Sequence, residues 1–186
     1  MPLGNDYARQ DCSIARSLEL VGERWTLLIL RDCFLGVRRF SDFQAHLDIS
    51  KAVLSARLDA LVADGLLTRT GSGHPEYELT EDALGLWPAL YALGRWGDRR
   101  TTPGAPRRLY RHVGCGPLGP DGRCETCGRA PAPADIDIRP GPGADPTLRD
   151  DAVSVALRQP HRLLEPLVLR GGAQESGSSV VADAVH

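Results

Sequence analysis

Residues 48–80 constrain the fold more than any other part of the chain. They read D-I-S-K-A-V-L-S-A-R-L-D-A-L-V-A-D-G-L-L-T-R-T-G-S-G-H-P-E-Y-E-L-T. Ser50 stands where an N-cap hydroxyl can accept from an orphan N–H of a first helical turn. Leu54, Leu58, Leu61 and Val62 follow at helical spacing and make one apolar stripe. Lys51, Ala52, Ser55, Ala56 and Asp59 fall outside it, and Gly65 sits where a helix stops. Residues 66–70 and 76–80 alternate weakly on either side of a Gly-Ser-Gly-His-Pro turn, the pattern of a β-hairpin. A slim helix face followed by a Gly-rich hairpin suits DNA, with the helix in the major groove and the tip near phosphates or the minor groove. The same pattern also fits an ordinary helix–hairpin corner of a globular core.

The flanking sequence extends this frame. Residues 11–21 predict a short helix with Ile14, Leu18 and Val21 on one face, and residues 23–35 a second with Trp25, Leu28, Ile29 and Cys33 in line. Arg38 and Arg39 precede a helix over 41–47, with Ser41 as its expected N-cap and Phe40, Phe43 and Leu47 on its apolar side. Helix, short turn, helix is the form of a helix-turn-helix, which places the Arg pair where phosphates are met. Thr80 should cap a long helix to about Arg100, kinked at Pro88. That helix is apolar around most of its circumference, so it must be buried on more than one side. A partner subunit is the preferred cover and the C-terminal appendage the alternative.

Charge speaks less clearly. Net charge is −2, and residues 1–110 hold 14 Lys/Arg against 14 Asp/Glu. A basic domain would be the usual footprint of a DNA binder, so any affinity here must come from local arrangement. No run is apolar enough to span a membrane, and the first eleven residues lack the core of a secretory signal, so a cytoplasmic location is expected.

Several motifs together resemble the HxlR family of bacterial transcriptional regulators: the run from Cys12 to Asp32, R-R-F-S-D-F at 38–43, I-S-K-A-V-L-S-A-R-L-D-A-L-V-A-D-G-L-L at 49–67, Y-E-L-T at 77–80 and G-R-W-G at 94–97. The resemblance spans about residues 11–98, in order. It implies a homodimeric winged helix-turn-helix that binds double-stranded operator DNA and usually represses. It places Ser50, Lys51, Ala52, Ser55 and Arg57 on the recognition helix, Arg39 and Ser41 at the start of the supporting helix, and Arg69 and His74 beside the wing. Ala52 and Ala56 depart from the family pattern, where those positions are often basic. Alanine can touch a thymine methyl but neutralises no phosphate, so modest affinity and a shallow salt slope are expected. Cys12 matches a position that in some members senses oxidants or electrophiles. A helix N-terminus favours thiolate, while Asp11 beside it opposes, and a buried inert thiol is the alternative.

Beyond a Pro/Gly linker at 103–106 lie His112-x-x-Cys115-Gly and Cys124-x-x-Cys127-Gly. Two turns of this form can aim four ligands at one structural zinc ion, a Cys₃His knuckle. The eight residues between the pairs are few for a zinc ribbon. A C-x-x-C redox pair and a disulfide are rivals, though neither accounts for His112 or the matched glycines. Residues 147–159 predict a helix with Leu148, Ala152 and Val155 on one face, and 171–186 have the composition of a disordered tail. The expected whole is mainly α with a small β-hairpin wing. It divides into a winged helix-turn-helix unit over 1–103, a zinc-knuckle-like segment over 104–145 and a helical segment with tail over 146–186. Nothing resembles a nucleophile–base pair or a phosphate loop, so an enzyme is disfavoured. A winged helix used for protein contact remains the main rival.

Overall fold

The computed structural model describes residue 7 and residues 9–169. The expected tail at 171–186 lies outside the described residues. Four helices open the chain: α1 (Ser13–Val21), α2 (Arg24–Phe34), α3 (Phe40–Leu47) and α4 (Lys51–Ala63). The strands β1 (Leu67–Thr70) and β2 (Glu76–Leu79) form an antiparallel hairpin, with Leu67 opposite Leu79 and Thr70 opposite Glu76. Helices α5 (Glu81–Leu84) and α6 (Trp87–Thr101) follow. Then come β3 (Arg108–His112), β4 (Ile136–Pro140), α7 (Ala152–Ala156) and β5 (His161–Arg162), the strands pairing antiparallel in the order β3-β4-β5.

The α3–turn–α4 unit forms as its residues dictate. Asp48 ends α3 in the left-handed region at φ 52°, a conformation Asp tolerates better than most residues. Ile49 is buried, and the Ser50 hydroxyl accepts from Val53 N at 3.4 Å. Leu54, Leu58 and Leu61 are buried as their spacing predicts. Ser41 is not the N-cap of α3. Arg39 holds that place, and the Ser41 hydroxyl donates to Asp42 instead. The reason is pairing outside the helix: Tyr77 N donates to Arg38 O at 2.9 Å, and Arg39 bridges to Glu76. The wing therefore sets where α3 begins. A buried carboxylate locks α2 to α3, because Asp32, with no exposed surface, accepts from Arg31 at 2.6 Å and from His46 Nδ1 at 2.8 Å.

The long helix expected after Thr80 is two helices. Gly85 ends α5, and Pro88 lies in the first turn of α6, where its missing N–H costs no ladder bond, so there is no kink. The apolar circumference of α6 is shared between two surroundings. Trp87 stacks on Phe34 at 5.3 Å and Tyr110 at 5.8 Å, and Tyr91 stands 5.1 Å from Tyr110. The Tyr91 hydroxyl donates to Gly119 O at 2.8 Å. The appendage thus covers one face of α6, while Leu93 and Trp96 stay about half exposed at 48% and 54%. On α1 the expected apolar face is open: only Ala15 is buried, and Ile14 is 70% exposed.

The C-terminal segment folds back on the helices. Asp151 caps α7 by accepting from Ser154 N at 2.9 Å, which starts the helix later than 147. Val153 and Leu157 are buried, and Leu148 and Val155, expected on the inner face, are exposed. Arg149 donates to Ala45 O at the end of α3 at 2.6 Å. After β5 a strap crosses the α2–α3 turn, with Leu164 N donating to Phe34 O at 2.9 Å and Leu167 N to Gly36 O at 3.2 Å. Gly36 has φ +88°, and a Cβ there would collide with the Glu165 carbonyl. One apolar cluster consequently includes Leu54 and Phe43 of the helical unit together with Ile136, Ile138 and Leu163 of the appendage.

Candidate nucleic-acid interface and metal centre

On α4, Lys51, Ala52, Val53, Ser55 and Ala56 are exposed, opposite the buried leucines. Ser50 is exposed and occupied in capping. Arg57 is turned aside: its Nε lies 3.4 Å from Glu23, the residue that N-caps α2. Arg69, on β1, reaches Asp59 of α4 at 3.4 Å, and His74 is exposed at the tip of the wing. Arg39 Nε lies 3.2 Å from Glu76, with two thirds of its side chain in solvent. Arg38 pairs with Glu78 and approaches Leu164 O at 3.4 Å. Ser41 is exposed on the first turn of α3.

These ion pairs are what the sequence could not show. E-Y-E alternation puts Glu76 and Glu78 on one face of β2, with Tyr77 buried on the other. Nothing in the sequence says that Arg38 and Arg39 meet them, because the pairing crosses almost forty residues. Exposed pairs of this kind are worth about 0–1 kcal/mol, so a phosphate can compete for Arg39 at little cost.

Cys12 is exposed at the N-cap position of α1, and its thiol makes no capping bond. Cys33 is core, as its stripe position predicts, and burial raises its thiol well above the ordinary value.

The four expected ligands converge. His112 ends β3, and Cys115, Cys124 and Cys127 lie in the turns between β3 and β4. Their ligand atoms all lie within 4.8 Å of one another, a group that could hold a metal ion. Cys124 Sγ lies 3.6 Å from Cys115 Sγ, within thiol hydrogen-bond distance, and Cys127 Sγ stands 3.5 Å from His112 Nδ1. Burial raises the Cys124 thiol, but the N–H groups of Cys127 and Thr126 outweigh it and hold it at about 5. Cys115, bonded to Cys124, is pushed up to about 11. The lowered value favours the thiolate, the form a metal takes. Gly116 is required by close approach: a Cβ there would collide with Thr126 and reach 3.3 Å from Cys124 Sγ. Three thiols, one imidazole and amides facing sulfur suit a closed tetrahedral zinc site. Cys12, Cys33, Cys115, Cys124 and Cys127 are free thiols in this structure.

A helix N-capped after a three-residue turn, packed on its supporting helix and followed by a two-stranded wing, defines a winged helix-turn-helix protein. Comparison with known proteins narrows the class. A family model described as HxlR-like helix-turn-helix matches residues 20–104. Rv3095 of Mycobacterium tuberculosis (strain ATCC 25618 / H37Rv), named an uncharacterized HTH-type transcriptional regulator, is 44% identical over 137 residues, 70% of this chain and 87% of its own. YdeP of Bacillus subtilis (strain 168), named likewise, is 29% identical over 105 residues, 52% of this chain and 82% of its own. The crystal structure of PA1607 overlays with a TM-score of 0.48 and 38% identity, covering 50% of this chain and 68% of that one. The chain belongs to the HxlR-like helix-turn-helix family, and it is a transcriptional regulator with a helix-turn-helix domain. No described helix is long and apolar enough to cross a membrane.

Proposed function

We propose that two copies of the chain pair through α1 and α6 and act as a repressor on double-stranded operator DNA. The observation that carries this reading is the exposed edge of α4 formed by Lys51, Ala52, Val53, Ser55 and Ala56, flanked by Arg39, paired with the wing, and Arg69, paired with α4. In this reading Ala52 and Ser55 face the major groove, and Lys51 meets a phosphate at the helix start. Arg39, Ser41, Arg69 and His74 meet phosphates, and Arg38 and Arg57 position their neighbours. Pairing is supported by the open apolar side chains Ile14 and Leu18 on α1 and Leu93 and Trp96 on α6, since a monomer seldom leaves such a patch uncovered. Two-fold symmetry then matches a two-half-site operator. The family resemblance supports repression as the outcome.

His112, Cys115, Cys124 and Cys127 would hold zinc. The ion would act structurally, because four protein ligands leave no open position for chemistry. Cys12, exposed beside the proposed pairing surface, is the residue through which an oxidant or electrophile would act.

A DNA-shift titration against the promoter region next to the gene, run at several salt concentrations, tests this reading. Sequence-specific binding that weakens with salt is expected. Because few cations are free, the slope should be shallow, at roughly −0.9 per phosphate neutralised. Arg39→Ala should weaken binding on every sequence, and Cys12→Ser should abolish release by oxidant. Binding blind to sequence would refute operator recognition.

A further inference from the structure

The exposed edge of α4 has an unusual chemistry for a surface that reads bases. Its outward side chains are Ala52, Val53 and Ala56, with Lys51 at the helix start; Val53 is 38% exposed. Apart from Lys51, the side chains along this edge able to read bases by hydrogen bonds have partners within the chain. Ser55 leans to Asp59 at 3.5 Å, and Asp59 is paired with Arg69. Arg57, the one arginine on the helix, lies against Glu23, and its Nε is buried without a hydrogen-bond partner. A bidentate arginine contact to guanine, the commonest specific contact in the major groove, would require breaking that pair.

We infer that this helix selects its operator by the C5-methyl groups of thymine, with Val53 and the Ala52/Ala56 pair as the specificity-determining residues. This rests on the operator reading above and deepens it. Thymine is the only one of the four bases that presents a methyl group in the major groove, and apolar side chains are its complement. Small residues let the helix sit close. Val53 supplies the branched surface that covers a methyl, and Lys51 anchors the helix start through a phosphate. Burial of one methyl against these side chains corresponds to about fourfold in affinity, from roughly 0.8 kcal/mol per buried carbon. The two half-sites of a dimer double that exponent.

The test starts from a pool of random duplexes selected on the full-length protein. The selected duplex is then remade with uracil for thymine at single positions in each half-site, which removes only the methyl. Uracil should lower affinity about fourfold per contacted methyl. Replacing the T·A pair with 5-methylcytosine·guanine should retain more affinity than cytosine·guanine. Val53→Ala, a change on an exposed face, should erase the thymine–uracil difference at one position of each half-site. Lys51→Ala should weaken both duplexes equally. If affinity is indifferent to uracil at every position, or if Val53→Ala keeps the full difference, the inference is overturned while operator binding stands. If no duplex is enriched, both fall together.

Discussion

Gly36→Ala probes the contact between the C-terminal strap and the helix-turn-helix. Gly36 lies in the left-handed region at φ +88°, and alanine there costs roughly 1–2 kcal/mol. The larger effect is steric. The new Cβ would collide with the Glu165 carbonyl oxygen and stand 3.0 Å from its carbon and 3.1 Å from His161 Nε2. The colliding atom is backbone, with no flexible end to yield, so the strap must lift. Lifting breaks Leu164 N to Phe34 O and Leu167 N to Gly36 O, each about 1 kcal/mol net. The expected loss is about 3–4 kcal/mol, which for a chain of this size lowers Tm by roughly 10 °C. Gly65→Ala is the control. Gly65 also has positive φ, +71°, but nothing lies within 4 Å of its would-be Cβ. It should show only the conformational cost, about 1–2 kcal/mol. Thermal unfolding followed by circular dichroism gives both values, and amide exchange at Leu164 and Leu167 reports the strap itself. Equal Tm values for the two variants, with unchanged protection at those amides, would show that the strap does not bear on Gly36.

Metal analysis of protein purified without chelator should find one zinc per chain; Cys124→Ser should lose it and lower Tm. Less than half an ion per chain, with Cys124 and Cys127 joined as a disulfide, would rule out the knuckle. Trp96→Asp alters a side chain exposed in the single chain, so it should leave the far-UV circular dichroism spectrum near wild type while sedimentation shifts from dimer to single-chain mass and Tm loses its dependence on protein concentration; a dimer that persists would place the pairing surface elsewhere. Burial holds the His161 imidazole below its ordinary value of 6.5, against the opposing pull of Glu165 and Asp137. Below about 6.5 the unfolded chain therefore takes up a proton that the folded chain refuses, and stability falls as pH drops. His161→Gln should reduce this loss in denaturant titrations between pH 7.5 and 5.5, and an unchanged slope would contradict the assignment.

Much of the helix-turn-helix was legible because its signals are local. Ser50, the Leu54/Leu58/Leu61 stripe and the Gly-rich hairpin tip each act within a few residues, and the backbone obeys them whatever surrounds it. The Cys/His spacing was legible for the same reason, since two residues between ligands is a property of one turn. Four things were decided only by tertiary structure. Arg39 rather than Ser41 begins α3, because the wing pairs with the segment before it. Ile14, Leu18 and Trp96 are left uncovered by the described residues although apolar, because helical spacing says which side chains share a face and not which face meets the core. Tyr91, Tyr110, Ile138 and Leu163 weld the appendage to the helices, and Arg38 and Arg57 are spent on Glu78 and Glu23. These pairings join residues far apart in sequence. They depend on which faces meet once the core has closed, and no local period encodes that.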